Sequence, residues 1–311
     1  MLAAVVTDAG ALAMRDVPEP SAPPGGVLVD VRYCGLCGSD VEKLTPGAAA
    51  AGSVLGHELS GTVLAGPLPA GTRVALAHHV PCGTCASCRS GHEPLCAAFA
   101  ATRLDPGGFC ERTAASADHV QHALLPLPDS VSDLAGTFVE PLACVVRGVD
   151  VLPDGDALVL GAGAVGLLAA QVLRARGQTV RILDVDQDRQ RSAAGLGFDP
   201  PAGGERFAAA LSTAAAALPA AVARVRPGGT LVVFAGGAPQ TLDVDAVYRR
   251  ELRLVGVRSA APRHLRAALG LLRTGAVEVD SLVDEVVPLA DIGDGLRRYR
   301  ERRIRKLVVA P

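Results

Sequence analysis

The 311-residue chain has no tryptophan, two methionines and an aromatic content of 3%. Alanine, glycine, arginine and proline are abundant instead, so the scarcity reads as compositional bias and carries no functional message. Long runs of one charge are also missing: 30 Lys and Arg stand against 32 Asp and Glu, for a formal net charge of -2. Balanced, dispersed charge leaves no footprint for a phosphate backbone and argues against nucleic acid as a partner. No apolar run approaches the ~20 residues of a membrane-spanning helix. Stretches such as Ala157–Leu160 and Ala214–Leu218 are far shorter, and no membrane role is expected. The opening Met1-Leu2-Ala3-Ala4-Val5-Val6 has no basic leader and runs into a turn at Asp8-Ala9-Gly10. It reads as a first strand and not as a signal peptide. Eight cysteines are too dilute here for a secreted disulfide scaffold. A cytoplasmic enzyme with metal-bound thiolates fits better.

What is present suffices for two domains of roughly 100–200 residues each. The chain is 49% apolar and 20% charged, a composition able to bury a large core. The first 130 or so residues are short β-like runs, such as Val27–Val31, Gly61–Leu64 and Thr72–Ala77, punctuated by Gly and Pro. An apolar stretch with helical spacing follows at Leu134–Val149, with Glu140-Pro141 inside it. From Asp156 the pattern becomes strand, glycine turn, amphipathic helix, strand, which signals a parallel α/β sheet. The end, Val283–Pro311, returns to strand-like text at Val286-Val287 and Leu307-Val308-Val309 and can fold back onto the N-terminal half.

Cys82, Cys85, Cys88 and Cys96 form a C-x2-C-x2-C-x7-C lobe in a Gly- and Ser-containing loop. Four thiolates so spaced can close a tetrahedron around a structural zinc, with Zn–S near ~2.3 Å and no open position. Packing explains four cysteines in so short a stretch poorly, and disulfides are disfavoured in the cytosol.

A second group is more scattered. Cys37-Gly38-Ser39-Asp40 follows a strand, Gly56-His57-Glu58 follows a loop, and Glu140 sits in an otherwise apolar helix. Each has a plain alternative: a redox pair at Cys34-x2-Cys37, a satisfied structural histidine, a solvated carboxylate. The redox reading wants a thioredoxin-like βαβ context, which this β-rich half lacks. Together, thiolate, imidazole and carboxylate suit a catalytic zinc with an open position. Ser39 could carry a released proton outward, and Asp40 could orient the His57 ring.

The run Ala157–Leu160 leads into Gly161-Ala162-Gly163-Ala164-Val165-Gly166, then a helix through Arg176 and a strand Thr179–Leu183 ending at Asp184. A bare G-x-G-x-x-G can be an ordinary turn, but strand before, helix after and a following acid are the context of a dinucleotide site. Gly161, Gly163 and Gly166 let the backbone approach a pyrophosphate at the helix N-terminus. Asp184 would accept from the ribose hydroxyls and repel a 2′-phosphate, favouring NAD over NADP. Val165 and Arg189 join them as expected cofactor contacts.

These motifs, in this order, resemble the zinc-dependent medium-chain dehydrogenases over essentially the whole chain. Gly61, Gly107-Gly108-Phe109, Glu140-Pro141-Leu142-Ala143 and Arg226-Pro227-Gly228-Gly229 add to the likeness. It is strongest to the polyol, threonine and cyclitol branch. The resemblance implies an α/β fold with a GroES-like β-rich catalytic domain at 1–150, completed by 281–311. A Rossmann domain with a doubly wound parallel sheet would occupy 151–280. It places Cys37, His57 and Glu140 on zinc, Glu58 as an exchanging ligand or near neighbour, Ser39 in the proton relay, and Arg258 in the pocket. It implies one catalytic and one structural zinc per chain, NAD, a secondary alcohol or ketone substrate of polyol, cyclitol or amino-alcohol type, and a homodimer or homotetramer. The alternatives are a ketone or aldehyde reductase working in reverse and a non-catalytic nucleotide-binding relative; the latter would be expected to have lost Cys37, His57 or Glu140.

Three departures stand out. Glu42 replaces a histidine frequent in the polyol branch, the loops flanking Gly56 and Gly61 are short, and the stretch from Asp184 to Pro227 lacks roughly one helix and its strand. A Rossmann sheet with one strand fewer is therefore expected.

Overall fold

The computed structural model describes the whole chain, Met1–Pro311. It divides into two compact units. One comprises Met1–Glu140, Ala260–Arg273 and Val279–Pro311; the other comprises Pro141–Ser259 and Thr274–Glu278.

The first unit is built on a seven-stranded sheet. In spatial order its strands are Glu285–Pro288, Leu307–Ala310, Val27–Gly35, Glu58–Ala65, Arg73–Ala77 and Leu124–Pro126, with Arg112–Ala115 also paired to Val27–Gly35. The period-2 pattern explains the long central strand: Val27, Val29 and Val31 are buried while Leu28, Asp30 and Arg32 alternate outward. Gly61 permits the close pairing with the neighbouring strand, since a Cβ there would fall 2.4 Å from the Asp30 carbonyl oxygen. The last strand returns to the first third of the chain, with Val308 opposite Gly35 and Val309 opposite Cys34. That return completes the core formed by Val29, Leu59, Val63, Leu76, Phe109, Leu307 and Val309.

The expected helix at Leu134–Val149 is two helices, Asp133–Gly136 and Val139–Val149. Ser132 caps the first by accepting from the Ala135 N–H at 3.0 Å, and the Thr137 hydroxyl donates to the Leu134 carbonyl at 2.7 Å where it ends. The chain is thereby re-aimed just before Glu140.

The second unit holds five parallel strands in the order Arg253–Gly256, Val225–Val233, Phe207–Ser212, Ala157–Leu160, Val180–Leu183. This is the doubly wound arrangement without the outermost strand of its first half, as the short Asp184–Pro227 stretch predicts. The edge this leaves is not bare. The Ile182 N–H donates to the Asp199 carbonyl at 3.1 Å, Gln190 Nε2 donates to the Ile182 carbonyl at 3.2 Å, and Arg181 pairs with Asp199 at 3.3 Å. A loop and a side chain thus cover backbone groups that would otherwise recruit another strand. No helix is long and apolar enough to cross a membrane.

Candidate active site

Cys37 ends the loop after the strand Val27–Gly35 and stands at the N-cap of the helix Gly38–Lys43. The next strand, Glu58–Ala65, begins one residue after His57. Pairing of these two strands, with Gly35 opposite Glu58, brings the motifs together. The Cys37 thiol, a His57 ring nitrogen and a Glu58 carboxylate oxygen lie within 4.8 Å of one another.

Asp40 organises this trio. It is fully buried and accepts from the Cys37 N–H at 3.1 Å and the Gly56 N–H at 3.4 Å, while its Oδ1 lies 3.2 Å from His57 Nδ1. Burial alone would raise its pKa; the facing His57 ring, and then the Cys37 N–H, override that and hold it below the usual carboxylate range. The contact fixes the His57 tautomer and leaves Nε2 free for a ligand. Ser39 Oγ stands 3.5 Å from that Nε2, a position from which a hydroxyl can pass a proton outward. Cys34, by contrast, is buried in its strand with its thiol pushed well above the ordinary range by burial, which does not suit a redox partner for Cys37.

Glu58 is the carboxylate whose oxygen completes the trio with the thiol and the ring. Glu140 is half-buried in the first turn of Val139–Val149. Glu58 also meets a residue that sequence reading missed. Lys306, 4% exposed, forms an ion pair with it and donates to the Leu36 carbonyl at 3.3 Å. Burial penalises the ammonium, but Glu58 outweighs that and raises the Lys306 pKa. Its only sequence signal was a lysine opening the apolar run Leu307-Val308-Val309.

The four-cysteine lobe closes on itself. Sγ–Sγ separations are 3.5 Å for Cys85–Cys88, 3.5 Å for Cys82–Cys96 and 4.0 Å for Cys82–Cys88. Sulfurs on a tetrahedron with ~2.3 Å bonds stand ~3.8 Å apart, so the donor set fits a zinc ion without rearrangement. The N–H and hydroxyl of Thr84, and then the Cys85 N–H at 3.4 Å from Cys82 Sγ, pull the Cys82 thiol down to about 6.

In the second unit the glycine turn joins the strand Ala157–Leu160 to the helix Ala164–Ala175, and Val165 lies in that helix's first turn. Gly161 has φ +106°, and a Cβ on Gly166 would fall 1.8 Å from the Gly161 carbonyl oxygen. A Cβ on Gly163 would meet only Arg189 Nη1, at 3.9 Å, so that stretch of backbone is open to an approaching phosphate. Asp184 lies at the rim of the same turn, accepting from the Ala162 N–H at 2.6 Å and from the Asp186 N–H at 2.8 Å. Arg258 is exposed just past the strand Arg253–Gly256, and its carbonyl accepts from Arg147 at 2.6 Å. Glu42 is exposed.

Residues 23–129 match the alcohol dehydrogenase GroES-like domain, and residues 136–200 match the alanine dehydrogenase/PNT C-terminal domain. A D-altritol 5-dehydrogenase of Agrobacterium fabrum (strain C58) is 35% identical over 313 residues, covering 91% of each chain. A "Probable D-xylulose reductase A" of Neosartorya fischeri is 29% identical, over 95% of this chain and 92% of that one. Among solved structures, the alcohol dehydrogenase TADH from Thermus sp. ATN1 superposes with a TM-score of 0.86 at 26% identity, over 100% of this chain and 99% of that one. At this identity and coverage, the chain belongs to the zinc-dependent medium-chain dehydrogenases of the alcohol dehydrogenase superfamily.

Proposed function

We propose that the protein oxidises a secondary alcohol of polyol type, with NAD as the hydride acceptor, at a zinc site formed by Cys37, His57 and Glu140, with Glu58 as an exchanging ligand or near neighbour. The observation that carries this reading is the convergence of the Cys37, His57 and Glu58 donors within 4.8 Å, with the Ser39 hydroxyl 3.5 Å from His57 Nε2. One thiolate, one imidazole and one carboxylate make three protein ligands, the number a catalytic zinc takes when a position is left for substrate. A zinc ion there supplies Lewis acidity, which makes an alcohol proton easier to lose at neutral pH. Asp40 keeps the His57 ring in register, and Ser39 accepts and relays the proton. Glu140 is the carboxylate ligand, and Glu58 can exchange with it. Cys82, Cys85, Cys88 and Cys96 hold a second, structural zinc.

Gly161, Gly163 and Gly166 cradle the cofactor pyrophosphate, with Val165 and Arg189 lining it. Asp184 takes the ribose hydroxyls and favours NAD over NADP, and Arg258 is a further cofactor contact. The D-altritol and D-xylulose named for the relatives support a polyol or its ketose as the substrate class. A reducing cytoplasm suits thiolates held for metal. A homodimer or homotetramer is supported by the exposed Val244, Tyr248 and Leu254 on the edge strand and its adjoining helix. The test is NADH formation by the zinc-loaded protein over a panel of polyols, vicinal diols and simple alcohols. Turnover on polyols is expected; inactivity across the panel in both directions would refute the reading.

A further inference from the structure

Lys43 closes the helix Gly38–Lys43, whose Ser39 faces His57. Four residues separate Ser39 from Lys43, so the two side chains leave the same helix face one turn apart. Lys43 is half-buried, yet its ammonium enters no ion pair and no hydrogen bond. Its charge nonetheless acts on Asp40 and on the rings of His78 and His79. The one acid beside it in sequence, Glu42, is exposed.

His78 lies on the same side of the trio. Glu58 pairs with Ala77 across the sheet, which makes His57 and His78 the next residues out of that ladder. His78 Nδ1 accepts from the Leu104 N–H at 3.4 Å, so the proton sits on Nε2, an N–H donor with no protein acceptor. Burial, then the neighbouring His79 ring, hold this imidazole neutral, with a pKa of about 2. The surroundings of the trio thus offer one unneutralised cation and one unused donor, and Asp40, the buried acid there, is already committed to His57. A neutral polyol makes no use of a half-buried ammonium, whereas a carboxylate or phosphate does.

We propose that Lys43, assisted by the Nε2–H of His78, binds an anionic group on the substrate, so that the alcohol oxidised is a polyol acid or polyol phosphate. One helical turn, ~5.4 Å, separates Lys43 from Ser39. The anionic group therefore sits about three to four carbons from the reacting hydroxyl, given a rise of this size per turn. The inference rests on the reading of Cys37, His57 and Glu58 as the reaction centre.

The test compares NAD-dependent oxidation of a hexitol, the matching aldonate and the matching hexitol phosphate by the zinc-loaded parent, Lys43→Met and Lys43→Arg. For at least one anionic substrate the parent kcat/KM should exceed that of the hexitol tenfold or more, and which one gains names the anion. Lys43→Met should lose at least tenfold more on that substrate than on the hexitol, chiefly through KM, and Lys43→Arg should keep most of the preference. Equal kcat/KM on all three substrates, or a parallel change in Lys43→Met, overturns the proposal. Calorimetric titration with the aldonate and with inorganic phosphate separates this from the reaction assignment. If none of the three is oxidised, the reaction assignment fails; anion binding that is present in the parent and lost in Lys43→Met still upholds the cation site. No anion binding to the parent overturns it.

Discussion

Lys306 and Glu58 form an ion pair whose side chains are 5% and 2% exposed. They lie 248 residues apart in sequence and meet because the last strand lies against Val27–Gly35. A Cβ at Gly35 would come within 2.4 Å of the Glu58 carboxylate and 2.9 Å of Lys306 Nζ, so the glycine leaves the room in which the pair sits. The Phe138 ring lies 5.4 Å from the ammonium. The C-terminus thereby holds one of the proposed zinc ligands in place.

Removing one member of a buried pair strands the other charge. Lys306→Met is expected to lower stability by ~3–5 kcal/mol, the usual cost of an uncompensated buried charge. Adding Glu58→Gln to that variant should restore part of the loss. Denaturant unfolding of the single and double variants checks both statements, and an additive result would contradict the pairing.

The turn before that strand carries a pH dependence. Asp284 accepts from the Lys306 N–H at 3.0 Å and pairs with Arg305 at 2.9 Å. Burial alone would raise its pKa; the Arg305 guanidinium, then the Arg305 and Lys306 N–H groups, override that and depress it below 3.8. A depressed carboxylate contributes stability above its unfolded pKa and loses it as the pH falls through the folded one. Asp284→Asn should therefore be less stable than the parent at pH 7. The gap should stay constant down to about pH 5 and shrink below about pH 4, near the unfolded carboxylate range. Thermal unfolding across that window checks the sign, and a gap that widens in acid would contradict it.

Much of this architecture was legible in the sequence, for definite reasons. The four cysteines and the glycine turn are local patterns, and spacing alone folds them into their shapes. The lost strand showed as missing length between Asp184 and Pro227. Lys306 and His78 were not legible, because their roles arise from strand pairing that no local pattern announces. Spacing could not show how close Glu58 comes to Cys37 either; that follows from Gly35 and Ala77 pairing with it. The helix Pro262–Arg273 also escaped, although His264, Leu265, Ala268 and Leu272 form a helical face. Its assignment to the first unit, between two stretches of the second, has no local signature.

Asp184→Ser tests the cofactor reading. In the proposed role the carboxylate both accepts from ribose and repels a 2′-phosphate, so its loss should shift the NAD-to-NADP ratio of kcat/KM by about tenfold or more toward NADP. That is the worth of one hydrogen bond to a charged group, ~1.5 kcal/mol. A parent enzyme that already prefers NADP would contradict the role given to Asp184.

Glu58 and Glu140 together suggest a preference. Carboxylates are harder ligands than thiolates and exchange more readily, and a catalytic zinc can accept a fifth ligand. A substrate offering two adjacent oxygens uses that freedom. A vicinal diol is thus expected to give a kcat/KM at least tenfold above a monohydric alcohol of similar size, measured by NADH formation. Parity between a butanediol and isopropanol would contradict this.

The most direct measurement is zinc content and polyol turnover, taken on the same preparations of the parent, Cys37→Ser and Cys85→Ser. The parent should carry two zinc ions per folded chain. Cys37→Ser should retain the fold and one zinc ion and lose turnover, whereas Cys85→Ser should lose the other zinc ion together with thermal stability. One zinc ion per chain in the active parent, or full turnover in Cys37→Ser, would contradict the account.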